Sequence, residues 1–66
     1  MMIEEEYMMS VRMQAERLGF IVVGNLRRFE DLEPSHLYQY YVDEADNCFI
    51  VRRGILTIVA ADGTVW

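Results

Sequence analysis

Few residues in this chain have side chains suited to chemistry. His36 and Cys48 are each the single example of their type. Arg27, Arg28, Arg52 and Arg53 form two basic pairs, and the stretch DEADN at 43–47 carries three carboxylates. A histidine beside a cysteine is the pair that makes a base-activated thiol nucleophile. With Val42 facing Cys48 across an antiparallel pair, however, His36 falls beside Gly54. That leaves the two groups about six residues apart along the strands, or ~20 Å at ~3.3 Å per residue. The dyad therefore fails within one chain, and Cys48 reads as a small hydrophobe. One histidine and one cysteine cannot build a structural zinc site. DEADN lacks the glycine and distal glutamate of a calcium loop, so it reads as a solvated turn. The sequence predicts no enzyme, no metal and no cofactor.

The arginines point elsewhere. The same register puts Tyr38 opposite Arg52. If the next pairing brings Arg27 level with Tyr38, then Arg27, Arg28, His36, Arg52 and Arg53 gather at one end of a sheet, with Asp43, Glu44 and Asp46 at the other. Such a cluster, with Tyr38 or Tyr40 as a stacking face, could grip a phosphate or carboxylate. Glu30, Asp31 and Glu33 lie close in sequence and offer the alternative of neutralising it.

These residues need elements to position them. From Ile3 to Leu18, apolar residues at Ile3, Tyr7, Val11, Ala15 and Leu18 recur at helical spacing. Glu4, Glu5 and Glu6 suit the first turn of a helix, Arg17 suits its end, and Gly19 suits the position that stops it. Met9 and Met13 form a second stripe, either filling gaps in the core or offering an adaptable docking surface. FIVVGNLRRF then reads as one strand bulged at Gly24, EDLEPS as a loop, and HLYQYYV, CFIVRR and ILTIVA as strands. Gly54 marks a tight turn, ADG a short hairpin loop, and TVW a terminal edge strand. The fold class expected is α+β: one N-terminal helix packed on a four- to five-stranded antiparallel meander, as a single domain over 1–66.

The strands are apolar on both faces. Ile55, Thr57 and Val59 alternate with Leu56, Ile58 and Ala60, and Cys48 and Ile50 with Phe49 and Val51. An antiparallel sheet with one solvated face alternates apolar with polar instead. One helix covers one face, so the other requires a second copy, another protein, or curling of the sheet. A symmetric homodimer is the commonest such solution. Met9, Met13, Ile55, Leu56, Ile58, Val65 and Trp66 are the expected interface residues, although Trp66 can also fold back onto its own sheet.

Composition bounds the function. A chain of 66 residues with a hydrophobic fraction of 53% carries more apolar surface than so small a domain readily buries. The net charge of −5 argues against direct nucleic-acid binding. A lone cysteine suits a reducing cytoplasm. MMIEEEYMMS lacks the basic start and apolar run of a secretory signal, and no stretch approaches the length of a membrane span. The expectation is a small cytoplasmic homodimer that regulates or inhibits a protein target. The alternative is a protein binding a small anion or nucleotide through its arginines.

Overall fold

A computed structural model describes the backbone of residues 4–29 and 38–66, and within these ranges the side chains from Met8 onward. Helix α1 spans Glu4–Arg17. It is followed by strands β1 (Arg27–Arg28), β2 (Tyr38–Val42), β3 (Cys48–Arg52) and β4 (Ile55–Val59), paired in the order β1-β2-β3-β4. Every pairing is antiparallel. The fold is the α+β meander that the apolar spacing predicts.

Helix α1 stops where Gly19 stands. Its φ of 90° lies in the left-handed region, which glycine enters without a Cβ penalty. The N–H of Phe20 then donates to the carbonyl of Ala15 at 2.9 Å, and that of Gly19 to Glu16 at 3.0 Å. This is the paired-bond Schellman ending. The turn swings Phe20 under the helix and lifts Leu18 away. Leu18, expected on the buried face, is consequently 54% exposed, while Val11, Ala15 and Phe20 are buried. Met8 packs against the core, whereas Met9 and Met13 are exposed.

The one long bulged strand expected over FIVVGNLRRF does not form. Only Arg27–Arg28 joins the sheet, and residues 20–26 cross its inner face as an irregular extended segment. Phe20, Val22 and Leu26 are buried there, with Ile21 and Val23 facing out. Two backbone N–H groups of this segment are taken by side chains of the β2–β3 turn and not by a ladder. Asp43 accepts from the N–H of Val23 at 3.0 Å, and Glu44 from that of Asn25 at 2.6 Å. The Glu44 N–H in turn donates to the Val23 carbonyl at 3.0 Å, and the Arg12 guanidinium donates to the carbonyl of Gly24.

The register places Val42 opposite Cys48 and Tyr38 opposite Arg52, as the turn centred on Ala45 predicts. Arg27, by contrast, pairs with Val42 and not with Tyr38. The grip of Asp43 and Glu44 on Val23 and Asn25 ties β1 to the β2–β3 turn, so Arg27 and Arg28 enter the sheet at that end. TVW contributes one bridge, Val59 to Val65, in place of a full fifth strand.

Register separates the two faces. Tyr41, Phe49, Val51, Leu56 and Ile58 face α1 and the 20–26 segment, and Tyr41, Phe49 and Ile58 are fully enclosed. Tyr38, Tyr40, Cys48, Ile50, Ile55, Thr57 and Val59 alternate with them onto the outer face. Ile58, expected at an interface, is thus in the chain's own core with no exposed surface, and Leu56 packs against that core. The reason is parity: in β4 these two residues alternate with Ile55 and Thr57.

Candidate functional site

The outer face of the sheet ends in the β3–β4 hairpin, and there the residues capable of binding are brought together. Arg53 and Gly54 form its two-residue loop, with φ values of 50° and 80°. Two consecutive positive φ angles match the right-handed twist of the flanking strands. An arginine tolerates this conformation poorly, yet Arg53 occupies it. Arg52, one residue earlier, lays its guanidinium over the Tyr38 ring at 5.6 Å from the centroid. Tyr38 in turn stacks on Tyr40, with centroids 6.4 Å apart and planes within 11°. The column Arg52–Tyr38–Tyr40 follows from register, since Tyr38 faces Arg52 and Tyr40 lies two residues along the same strand. Beside it, Arg52, Arg53, Ile55 and Thr57 line a hollow of about 290 Å³.

A guanidinium stacked over an aromatic ring keeps its N–H fork directed outward, an arrangement suited to an oxyanion. Among the described residues no carboxylate pairs with Arg52 or Arg53. The predicted cluster is split, however. Arg27 and Arg28 pair with Val42 and Tyr41 at the opposite end of the sheet, separated from Arg52 by the length of β2. His36, Glu30, Asp31 and Glu33 lie outside the described residues, so the neutralisation and Cys–His alternatives fall there too. Cys48 sits on the outer face between Val42 and Val59. Burial pushes its thiol pKa up, which lowers the thiolate fraction and its nucleophilicity.

The far end of the sheet holds a network that the sequence reading missed. DEADN is more than a solvated turn, because Asp43 and Asn47 are both buried. Asp43 Oδ1 accepts from the N–H groups of Ala45 and Asn47 at 2.9 Å each, and Oδ2 from Val23 N–H and from Asn47 Nδ2. Asn47 Oδ1 accepts from the N–H of Ala61 at 2.9 Å. Three segments distant in sequence are thereby tied together. Burial raises the Asp43 pKa, but the donors from Asn47, Val23 and Ala45 outweigh it and hold the carboxyl below its ordinary value. The signal available in the sequence was the Asp–x–x–x–Asn spacing at a turn, the pattern of side chains that bond nearby backbone.

The remaining expected interface residues lie on the surface. Ile55 and Val65 are 71% and 66% exposed, and Met9 and Met13 line the outside of α1. Trp66 folds back: its ring meets Phe20 edge-on at 5.1 Å, and Phe20 meets Phe49 at 5.6 Å. Half of the indole is still exposed. Met8, Met9, Arg12, Asn25 and Leu26 line a second hollow, of about 410 Å³. Among the described residues no group of three or more His, Cys, Asp or Glu is placed to hold a metal ion, and no helix is long and apolar enough to cross a membrane.

No protein family, curated protein or solved structure matches this chain.

Proposed function

We propose that this protein is a small, noncatalytic interaction module of the cytoplasm that self-associates through the outer face of its sheet and, as a homodimer, regulates or blocks a protein target. The observation that carries this reading is the division of the sheet. Helix α1 and the 20–26 segment both pack on the inner face, while Ile50, Ile55, Val59 and the two tyrosines face outward. Tyr38 and Ile55 are exposed there and Ile50, Tyr40 and Val59 are half-buried, and apolar residues grouped on one sheet face suit an association site. Met9 and Met13, soft side chains exposed on α1, supply a separate surface for the target.

Size exclusion with light scattering across a wide concentration range tests the dimer. The expected result is twice the chain mass of 7.8 kDa, and the monomer mass for Ile55→Glu with an unchanged circular-dichroism spectrum. A wild-type chain that stays monomeric at every concentration would sink the reading.

A second reading is favoured by the Arg52–Tyr38–Tyr40 column: a site for a small anion or nucleotide at the hairpin end. Thermal shift against nucleotides and phosphorylated metabolites tests it. A stabilisation that Arg52→Ala abolishes supports this reading, and a flat panel removes it.

A further inference from the structure

The turn after β4 contains Asp62–Gly63, and no other aspartate or asparagine of the chain precedes a glycine. That pair has a chemistry of its own. The Gly63 nitrogen, with no side chain beside it as a shield, can attack the Asp62 carboxyl. An N–Cγ bond forms, the Cγ–OH bond breaks, and water leaves with the N–H proton. The five-membered succinimide then takes up water at the main-chain carbonyl of Asp62, and the C–N bond there breaks. The chain now runs through Cγ as isoaspartate, one methylene longer. Water lost is water regained, and no other reactant is needed.

The turn restrains both reacting groups. Gly63 N–H donates to the Ala60 carbonyl at 2.8 Å, which fixes the nitrogen. Asp62 Oδ1 accepts from Thr64 N–H at 2.9 Å. The N–H and hydroxyl of Thr64 hold the Asp62 carboxyl below its ordinary pKa, and an ionised carboxylate is a poor electrophile. The start of the turn is anchored, because Ala61 N–H donates to Oδ1 of the buried Asn47 at 2.9 Å.

Beyond the turn the chain is held lightly. Residues 61–66 are all exposed. The Val59–Val65 bridge rests on two bonds of 2.8 Å, from Ala60 N–H to the Thr64 carbonyl and from Trp66 N–H to the Ile58 carbonyl. The Trp66 ring meets Phe20 edge-on with half of its surface still in solvent. A segment with few buried contacts and exposed backbone bonds opens locally at far less cost than the whole fold.

We infer that Asp62 is a modification site guarded by this strap: succinimide formation requires residues 62–66 to lift from β4, and the isoaspartate product leaves the strap open. The added methylene shifts Thr64, Val65 and Trp66 out of register with Ala60, Val59 and Ile58, so neither backbone bond re-forms. Release uncovers Phe20 and the edge of β4, and an unpaired strand edge is a template for another chain. Ageing at one residue thus converts a covered edge into an open one.

The test is peptide mapping of the full chain after ageing, with a protease that cuts before aspartate but not before isoaspartate. In urea that unfolds the chain, resistance at position 62 should build up faster than in the native protein by about tenfold or more, since the closed strap dominates in the native state. Trp66→Ala and Val65→Ala, each checked for folding by circular dichroism, loosen the strap without touching the reacting atoms. Both should move the native rate toward the unfolded one. Trp66 is the single tryptophan, and its emission should shift to the red in the isoaspartate fraction. Asp62→Ser keeps a side-chain acceptor for Thr64 but has no carboxyl, and its emission should survive the same treatment. Equal rates in native and unfolded chains would overturn the guarding role, as would strap variants that age no faster than wild type. An isoaspartate fraction that keeps the native Trp66 emission would overturn the release of the strap.

Discussion

Asp43 shows how much one buried carboxylate can decide. Its four donors come from the β2–β3 turn and from Val23, so the charge fastens the 20–26 segment to the sheet. Asp43→Asn keeps the shape but turns an acceptor into an N–H₂ group facing donors, and should lower unfolding free energy by about 2–3 kcal/mol in urea titrations. The folded carboxyl titrates below the unfolded one, so the unfolded state takes up the proton more readily. The stabilisation is complete above the ordinary carboxylate range of about pH 4 and is lost as pH falls through the folded value. Wild-type stability should drop over that acidic window, and Asp43→Asn should show a shallower drop. Gly24 is a second fixed point: its φ is 67°, and a methyl there would overlap the Glu44 carboxylate. Gly24→Ala should cost about 1–3 kcal/mol by the same titration, with the loss larger than for Gly63→Ala, where the space around the added methyl is open.

At the scale of elements, the β3–β4 hairpin carries the clearest conflict between sequence and conformation. Arg53 holds a positive φ for which asparagine or glycine is better suited. Strain of this kind persists where surroundings or function hold it. Arg53→Asn should stabilise the fold by about 0.5–1 kcal/mol, read as a higher Tm. If the hairpin serves association, the same variant should weaken the dimer, moving the two measurements in opposite directions. Much of this level was legible beforehand. The end of α1 at Gly19, the Val42–Cys48 register and the hairpin at Gly54 follow from local chemistry, because each depends on residues within a few positions of one another. The 20–26 segment was not legible. Its β-branched residues have strand propensity, but the N–H groups of Val23 and Asn25 are taken by Asp43 and Glu44, twenty and nineteen residues away, and a pattern reading of FIVVGNLRRF cannot contain that competition.

For the whole molecule, the balance of buried and open surface governs behaviour. One face of the sheet builds the core around Phe49, Tyr41 and Ile58, with Phe20 and Trp66 extending it as an edge-to-face chain of rings. On the other face Tyr38 and Ile55 are exposed, whereas Val42 is buried and Ile50 and Val59 are half-buried. If association covers that face, the native state is linked by mass action to protein concentration. Thermal unfolding should then shift to higher temperature as concentration rises, and Ile55→Glu should remove the dependence while leaving the dilute-limit Tm nearly unchanged. A Tm independent of concentration in the wild type would count against self-association.

By itself the sequence determined the α+β class, the helix and its stop, the meander and most of its register, because periodicity, turn residues and strand pairing are short-range properties. It also determined that both sheet faces are apolar, since alternation along a strand needs no third dimension to read. Only the tertiary structure decided which face is covered. It set Leu56 and Ile58 inside and Ile55 outside, it buried Asp43 and Asn47 in a turn that looked solvated, and it sent Arg27 and Arg28 to the end opposite Arg52 and Arg53. The physical reason is common to all three. Each depends on which distant segment supplies a neighbour, and here a carboxylate at position 43 outcompeted a strand ladder for the backbone of residues 23–25.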